Sequence, residues 1–215
     1  MSGVAVPLLV LGTRTLAVEI ADVASEAGFR VAGFVENLER ERCAETLEEL
    51  PIHWIDELDG LTGDHLVVCG LATTQRRRFV EQALALGARF ATVVHPTARV
   101  SSTSSVGEGT IVSPGVVVGA RTTLGRHVLV NRGALIGHHT EIGDYVSIQP
   151  GANIAGACRI GEGTYVGMSA VVLDHRTVGS GSVVGAGAMV TKDVPANVQV
   201  VGVPARVVKE GVEWR

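Results

Sequence analysis

From Val94 to Val190 the chain places an aliphatic residue at every sixth position. The series runs Val94, Val100, Val106, Val112, Val118, Leu124, Val130, Ile136, Ile142, Ile148, Ile154, Ile160, Val166, Val172, Val178, Val184 and Val190. It keeps one phase from end to end, without an insertion. Two positions before each, the side chain is nearly always small, as at Ala98, Ser104, Thr110, Thr122, Ala134, Thr140, Ala152, Cys158, Thr164, Ala170, Ser182 and Ala188. The residue just after is often glycine, as at Gly107, Gly119, Gly125, Gly137, Gly143, Gly161, Gly167, Gly179 and Gly185. A period of six fits neither a helix, near 3.6, nor a lone strand, near 2. A fixed repeat instead predicts a solenoid of short strands and turns. One aliphatic and one small side chain per hexad then point inward, and the glycine is expected where the turn needs an unusual backbone angle. If three hexads close one coil, positions three hexads apart stack in columns.

The segment before the repeats reads differently. Val4–Leu11 is a buried strand and Gly12-Thr13-Arg14-Thr15 a turn. Leu16, Ala17, Ile20, Ala24 and Ala27 recur at helical spacing, with Gly28 as the stop signal. Val31–Val35 is a second strand ending at Glu36-Asn37, so this is a βαβ unit with a right-handed crossover. Residues 38–64 are charged and irregular, with Pro51 and a short helical pattern at Ile55–Leu61. Leu66–Cys69 is a third strand followed by Gly70. A helix capped by Thr73 or Thr74 runs to Leu86 and stops at Gly87, and Phe90–Val94 is the last strand. Residues 1–93 thus form a small Rossmann-like α/β domain. Ligands of such sheets bind at the carboxyl ends of the strands, which here carry Gly12, Thr13, Arg14, Glu36, Asn37 and Gly70. The helix start after Gly12 suits a phosphate. Only one glycine of a G-x-G-x-x-G pattern is present, so a purely structural α/β cap is the competing reading.

Composition sharpens the boundary. All four phenylalanines lie before residue 94, and 19 of the 27 glycines lie after it. The net charge of −4 argues against a nucleic-acid-binding surface. Cys43, Cys69 and Cys158 are scattered and odd in number, which points to a reducing compartment. Cys158 falls on a small inward position and reads as core. The apolar start is too short to span a membrane and lacks the flanks of a signal peptide, so a cytoplasmic protein is expected.

The hexads resemble those of the hexapeptide-repeat acyltransferases. That likeness implies an all-β, left-handed parallel β-helix for residues 94–215, with about six coils between Val94 and Pro195 and a tail at 207–215. The domain order, together with Ile136-Gly137-His138-His139-Thr140-Glu141-Ile142-Gly143-Asp144-Tyr145, resembles the nucleotide-sugar acetyltransferases of the bacillosamine, perosamine and sialic-acid O-acetyltransferase group. Val200–Arg206, with Pro204, resembles the segment that closes such enzymes beside coenzyme A. The resemblance implies acetyl-coenzyme A as co-substrate, no metal, a nucleotide-sugar substrate and a homotrimer with its active site between neighbouring helices.

On the same resemblance His138 is the general base and Asn131 lies near the reacting centre. Ser147 stands where some members carry a second histidine that contacts the thioester. Gly156, Ala186 and Pro204 fall along the acetyl-coenzyme A path. The family follows the base with an acidic residue that orients it; this chain has His139 there, leaving His139 or Glu141 for the role. The family's G-x-G-G-H-type loop appears as Gly12-Thr13-Arg14-Thr15-Leu16 without its later glycines and histidine. Its acidic pair appears as Glu36-Asn37, and Gly70 is retained.

The chemistry has its own logic. Imidazole titrates near pH 6.5, so a neutral base is available at pH 7. Positioned proton transfer contributes roughly 10²–10⁴ in rate. His138, two positions past Ile136, faces outward in the column Ala120, His138, Gly156, Asp174, Lys192. Gly156 there would let a ligand approach bare backbone. His139 stacks with Ala157 and His175. A solvated surface histidine is the bland alternative for each. Three other functions compete: sugar O-acetylation of the sialic-acid type, a γ-type carbonic anhydrase, and a non-catalytic trimeric scaffold. The anhydrase needs three histidines on zinc, and His138, His139 and His175 lack that spacing.

Overall fold

The structure is a computed structural model and describes residues 6–73 and 75–212. It divides into two compact units, Met1–His95 and Pro96–Arg215. Val94 falls before the boundary and is exposed.

In the first unit, β1 (Pro7–Leu11), β2 (Arg30–Glu36), β3 (Thr46–Leu47), β4 (Leu50–Trp54) and β5 (Leu66–Cys69) form one sheet in the order β3-β4-β2-β1-β5. β1 pairs in parallel with both β2 and β5, and β4 in parallel with β2. Leu8, Leu9, Val10 and Leu11 are all buried, as expected of a central strand covered on both faces. Helix α1 (Thr15–Glu26) buries Ala17, Ile20, Ala21, Val23 and Ala24. It ends where Gly28, at φ +91°, lets its N–H reach Ser25 O while Phe29 N–H reaches Ala24 O. Helix α2 (Gln75–Ala85) follows β5. The segment read as irregular holds β3, β4 and a 3₁₀ turn at Ile55–Gly60. Leu50-Pro51-Ile52-His53-Trp54 lacks a clean apolar pattern and contains proline, which is tolerated because the pairing with β2 starts only at Ile52. The expected strand over Phe90–Val94 shrinks to Val93–Val94, with Phe90 making only an isolated bridge to Val67. Val4 and Ala5, expected to begin β1, and Thr74 lie outside the described residues.

The second unit is a left-handed parallel β-helix of two-residue strands, one per hexad. Each strand pairs in parallel with the strands three hexads before and after it: Val118 with Ile136, Leu124 with Ile142, Val130 with Ile148. Three hexads therefore make a coil. The aliphatics from Val112 to Val190 are buried and pack as one core; Val100 and Val106, in the first coil with a neighbour on one side only, are half-buried. From Thr110 on the small positions are buried as well, and their hydroxyls stitch coils together. Thr110 Oγ1 donates to Gly125 O at 2.7 Å and accepts Val128 N–H at 3.0 Å. Ser104, Thr122 and Thr140 do the same one column over, donating to Gly119 O, Gly137 O and Ala155 O. Cys158 continues that column, fully buried, with its thiol donating to Leu173 O at 3.1 Å; burial pushes the thiol up.

The glycines after the aliphatics do not supply the unusual angle. None of these nine has a positive φ; the left-handed residue sits three after the aliphatic, and it is often not glycine: Arg121, His127, His139, Tyr145, Ala157, Ser169 and His175 all lie at φ 54–58°. The nine glycines are small because the next coil runs directly against them. A Cβ on Gly137 would lie 2.5 Å from Ala155 C and from Gly156 N. Past the last coil, Val198–Val201 pairs antiparallel with Arg206–Glu210, so most of the described part of the expected tail is a strand. Residues 213–215 lie outside the described residues.

Candidate active site

His138 and His139 occupy the turn between the strands Leu135–Ile136 and Glu141–Ile142. The turn is held from both neighbouring coils. His139 N–H bonds Ala120 O at 2.9 Å, and Ala157 N–H bonds His138 O at 2.8 Å. Thr122 ties down Gly137 O at 2.7 Å, and Thr140 Oγ1 bonds Ala155 O at 3.2 Å. On this frame His139 is left-handed, at φ 55°, which turns its ring toward its neighbour. The two Nδ1 atoms lie 3.0 Å apart and the rings meet edge to face at 5.1 Å. Both residues are exposed.

Gly156 sits one coil on, as the column arithmetic requires, but the bare backbone there already has an occupant. A Cβ on Gly156 would lie 2.7 Å from His138 Cε1 and 2.8 Å from Nε2. Gly156 thus makes room for the imidazole itself. Glu141 does not orient His138: its carboxylate pairs with Arg159 at 3.3 Å on the adjoining face. Above the pair, His175 Nε2 lies 3.8 Å from Asp174.

The remaining candidates in the β-helix lie elsewhere. Asn131 is buried in a different turn of the coil, separated from His138 by the strand Leu135–Ile136; its Oδ1 accepts Arg132 N–H at 2.7 Å. Asn131 N–H bonds Ile148 O, which brings its turn beside the buried Ser147. Gln149, one coil beyond Asn131, carries a buried Nε2 with no hydrogen-bond partner among the described residues. Nothing in the hexad pattern marked it beyond a polar side chain at a position usually held by glycine. Ala186 and Pro204 are exposed near the far end of the helix. One chain therefore gathers His138, His139 and Gly156 at one corner and Asn131 with Ser147 at another.

In the first unit the carboxyl ends of β1, β2 and β5 do meet. Thr13 donates its hydroxyl to Glu36 Oε2, and Gly12 N–H bonds Val35 O at 2.8 Å. Glu36 is already saturated: its Oε1 accepts the N–H groups of Leu38 at 2.8 Å, Asn37 at 2.9 Å and Glu39 at 3.4 Å. Burial acts to raise its pKa, but the bonds from Thr13, Leu38, Asn37 and Glu39 outweigh it and hold the carboxyl below its ordinary value. Arg14 is engaged with Glu39 at 2.5 Å. Gly70 lets α1 close on the sheet, since a Cβ there would lie 2.7 Å from Ala17 Cα. Glu36, Arg14 and Gly70 thus each have a part in building the loop. The open space lies beside them, a cleft of about 340 Å³ lined by Asn37, Leu38, Leu71, Arg78, Phe79 and Gln82. Asn37 Nδ2 donates to Gln82 Oε1 at 3.1 Å across it. Arg78 and Gln82 went unread in the sequence; their i, i+4 spacing on α2 was the available signal.

Among the described residues, no group of three or more His, Cys, Asp and Glu is placed to hold a metal ion, and no helix is long and apolar enough to cross a membrane.

The left-handed β-helix built from hexads carries a paired histidine on one corner and follows an α/β domain in the chain. Residues 121–156 and 157–192 match the family described as bacterial transferase hexapeptide (six repeats). The two-domain build, an α/β unit followed by a hexapeptide β-helix, is also that of several solved acetyltransferases. The chain is similar to the acetyltransferase domain of PglB from Neisseria gonorrhoeae FA1090 in complex with acetyl coenzyme A: 28% identity, TM-score 0.87, covering 95% of this chain and 100% of that one. It is also similar to PerB from Caulobacter crescentus in complex with CoA and GDP-perosamine, at 26% identity and TM-score 0.87 over 94% of this chain and 97% of that one. WeeI from Acinetobacter baumannii AYE gives 26% identity and TM-score 0.84 over 94% and 99%. None of the curated proteins matches the chain in sequence.

Proposed function

We propose that this protein is an acetyl-coenzyme A-dependent N-acetyltransferase acting on a UDP- or GDP-linked 4-amino-dideoxy sugar, with His138 as general base. The observation that carries the reading is the exposed His138 imidazole, seated over Gly156 with Nδ1 held by His139. That contact leaves Nε2 for the substrate. The sugar amine attacks the thioester carbonyl and its N–H proton passes to Nε2. The C–S bond breaks, and the proton follows to the departing thiolate, giving amide and free coenzyme A. No acyl-enzyme is needed: Cys158 is fully buried and its thiol is pushed up by burial, the reverse of an activated nucleophile.

The relatives crystallised with coenzyme A or a nucleotide sugar support the two substrates. The cleft beside Asn37, Arg78 and Gln82 is the best seat for the nucleotide, offering a cation and two amides in a volume suited to a small ligand. Asn131 and Ser147 lie on a different corner from His138, so a homotrimer, in which a neighbouring copy brings that corner to His138, completes the site.

The test is release of free thiol from acetyl-coenzyme A against UDP- and GDP-linked 4-amino-4,6-dideoxy sugars and free sialic acid, with His138→Ala as control. Turnover of a nucleotide amino sugar that the variant loses is expected. Turnover of sialic acid alone would move the assignment to O-acetylation, and failure to bind coenzyme A would favour the scaffold.

A further inference from the structure

We propose that Gln149 is a substrate-binding residue, whose side-chain amide donates to a neutral oxygen of acetyl-coenzyme A or of the acceptor sugar. The inference rests on the reading of this protein as an acetyltransferase. It begins from a buried donor. Gln149 is 8% exposed, and its Nε2 has no hydrogen-bond partner among the described residues. The backbone of Gln149 is engaged by the coil: its N–H bonds Val166 O at 2.9 Å and its C=O accepts Ala152 N–H at 3.2 Å. Other buried polar side chains of the β-helix work for the coil too. Thr110, Thr122 and Ser182 each donate to one backbone carbonyl and accept one backbone N–H. Asn131 turns its Oδ1 back onto Arg132 N–H. Gln149 Nε2 has no such use, and the coil does not need a side chain there, since the same position one and two coils on is Gly167 and Gly185. An amide N–H taken out of water and left without an acceptor destabilises the fold. Such a donor is kept where function uses it.

Two further polar side chains share its surroundings. Alternation along the strand Ser147–Ile148 puts Ser147 and Gln149 on the outer side and Ile148 inside. Asn131 lies one coil before Gln149 in the same column, about 4.8 Å away, the spacing of adjacent strands. Its N–H bonds Ile148 O at 2.8 Å. Asn131, Ser147 and Gln149 are all buried and all uncharged, while Arg132, the neighbouring cation, is exposed. This company sets the chemistry of the ligand atom. A buried amide among uncharged groups suits a neutral acceptor, a carbonyl or hydroxyl oxygen, rather than a phosphate. Acetyl-coenzyme A carries such oxygens in its thioester and in the amides of its pantetheine arm, and a sugar carries them as hydroxyls. The terminal torsion of a glutamine is soft, so the amide can turn from its buried seat onto such an oxygen while its backbone stays fixed in the coil.

The test is Gln149→Met in the full-length protein, which keeps most of the bulk and removes the donor. Without ligand, the variant is expected to melt about 2–4 °C above the wild type, because the unpaired N–H is gone. It is also expected to bind one substrate about 10-fold more weakly. Calorimetric titration with coenzyme A and acetyl-coenzyme A, beside KM for the acceptor that the wild type turns over, identifies the oxygen. Weaker binding of both coenzymes places it in the pantetheine arm, and weaker binding of acetyl-coenzyme A alone places it in the thioester. A raised acceptor KM with both titrations unchanged places it in the sugar. A variant that melts lower, fails to fold or loses the assembly size of the wild type would show that the amide already bonds protein or a trapped water, and would overturn the proposal. Unchanged affinity for every substrate would do the same. A wild type that binds no coenzyme A would sink the functional reading along with it, whereas a normal wild type beside an unaffected variant sinks this proposal alone.

Discussion

The imidazole of His138 lies across the bare Cα of Gly156, one coil further on, close enough that a Cβ there would sit 2.8 Å from Nε2. Gly156→Ala is expected to push the ring aside. The atoms displaced belong to an exposed side chain, so folding stability should change by less than about 1 kcal/mol. Catalysis should fall by about 10²-fold or more, because a misplaced base loses most of its contribution. Thermal melts beside kcat/KM test the split; equal loss in both would mean that Gly156 serves the coil rather than the base.

Gly137 offers the contrasting case. Its added Cβ would meet the backbone of Ala155 and Gly156 at 2.5 Å, and backbone cannot step aside. Gly137→Ala is expected to cost about 3 kcal/mol, the upper end of overpacking. At Gly163, where φ is +66° and nothing lies within 4 Å of an added Cβ, alanine should cost only about 1 kcal/mol of left-handed strain. Denaturant midpoints of the two variants should differ in that order.

The hydroxyl column makes a separate prediction. Thr122 Oγ1 donates to Gly137 O and accepts Thr140 N–H, and Thr122 is 1% exposed. Thr122→Val keeps the shape and leaves both backbone groups unpaired, at about 2 kcal/mol. Because Gly137 adjoins His138, activity should fall as well, and the pairing of lost stability with lost activity is what the measurement checks.

Glu36 sets an acid dependence. Its carboxyl is held below the ordinary 4.5 despite burial, by Thr13 and three backbone N–H groups. A depressed carboxyl contributes stability that is present above its unfolded value and lost as pH falls through its folded one. The α/β unit should therefore weaken as the pH drops below about 4.5. Glu36→Gln should cost about 2 kcal/mol near neutral pH and flatten that acid slope. Urea denaturation at neutral and acid pH reads both, and an unchanged slope would assign it to other carboxyls.

Much of this protein is determined by its sequence alone. An unbroken run of aliphatics in one phase admits few architectures, because only a coil closed by three hexads buries nearly all of them; the pairing of Val118 with Ile136 and the burial of Cys158 follow from counting. Counting also puts Gly156 beside His138. What lies between backbones and side chains needed the tertiary structure. The turn angle belongs to His139 and its equivalents, while Gly137 and its equivalents are small because the next coil abuts them, and both readings fit the same string of letters. Glu36 reads in the sequence as a ligand-binding acid, and its four hydrogen bonds to the protein are seen only in the structure. The choice of His139 over Glu141 as partner of His138 rests on the direction of two side chains leaving one turn. A left-handed residue sends its side chain across the corner and a strand residue sends it out onto the face, and the neighbouring coils decide which residue is which.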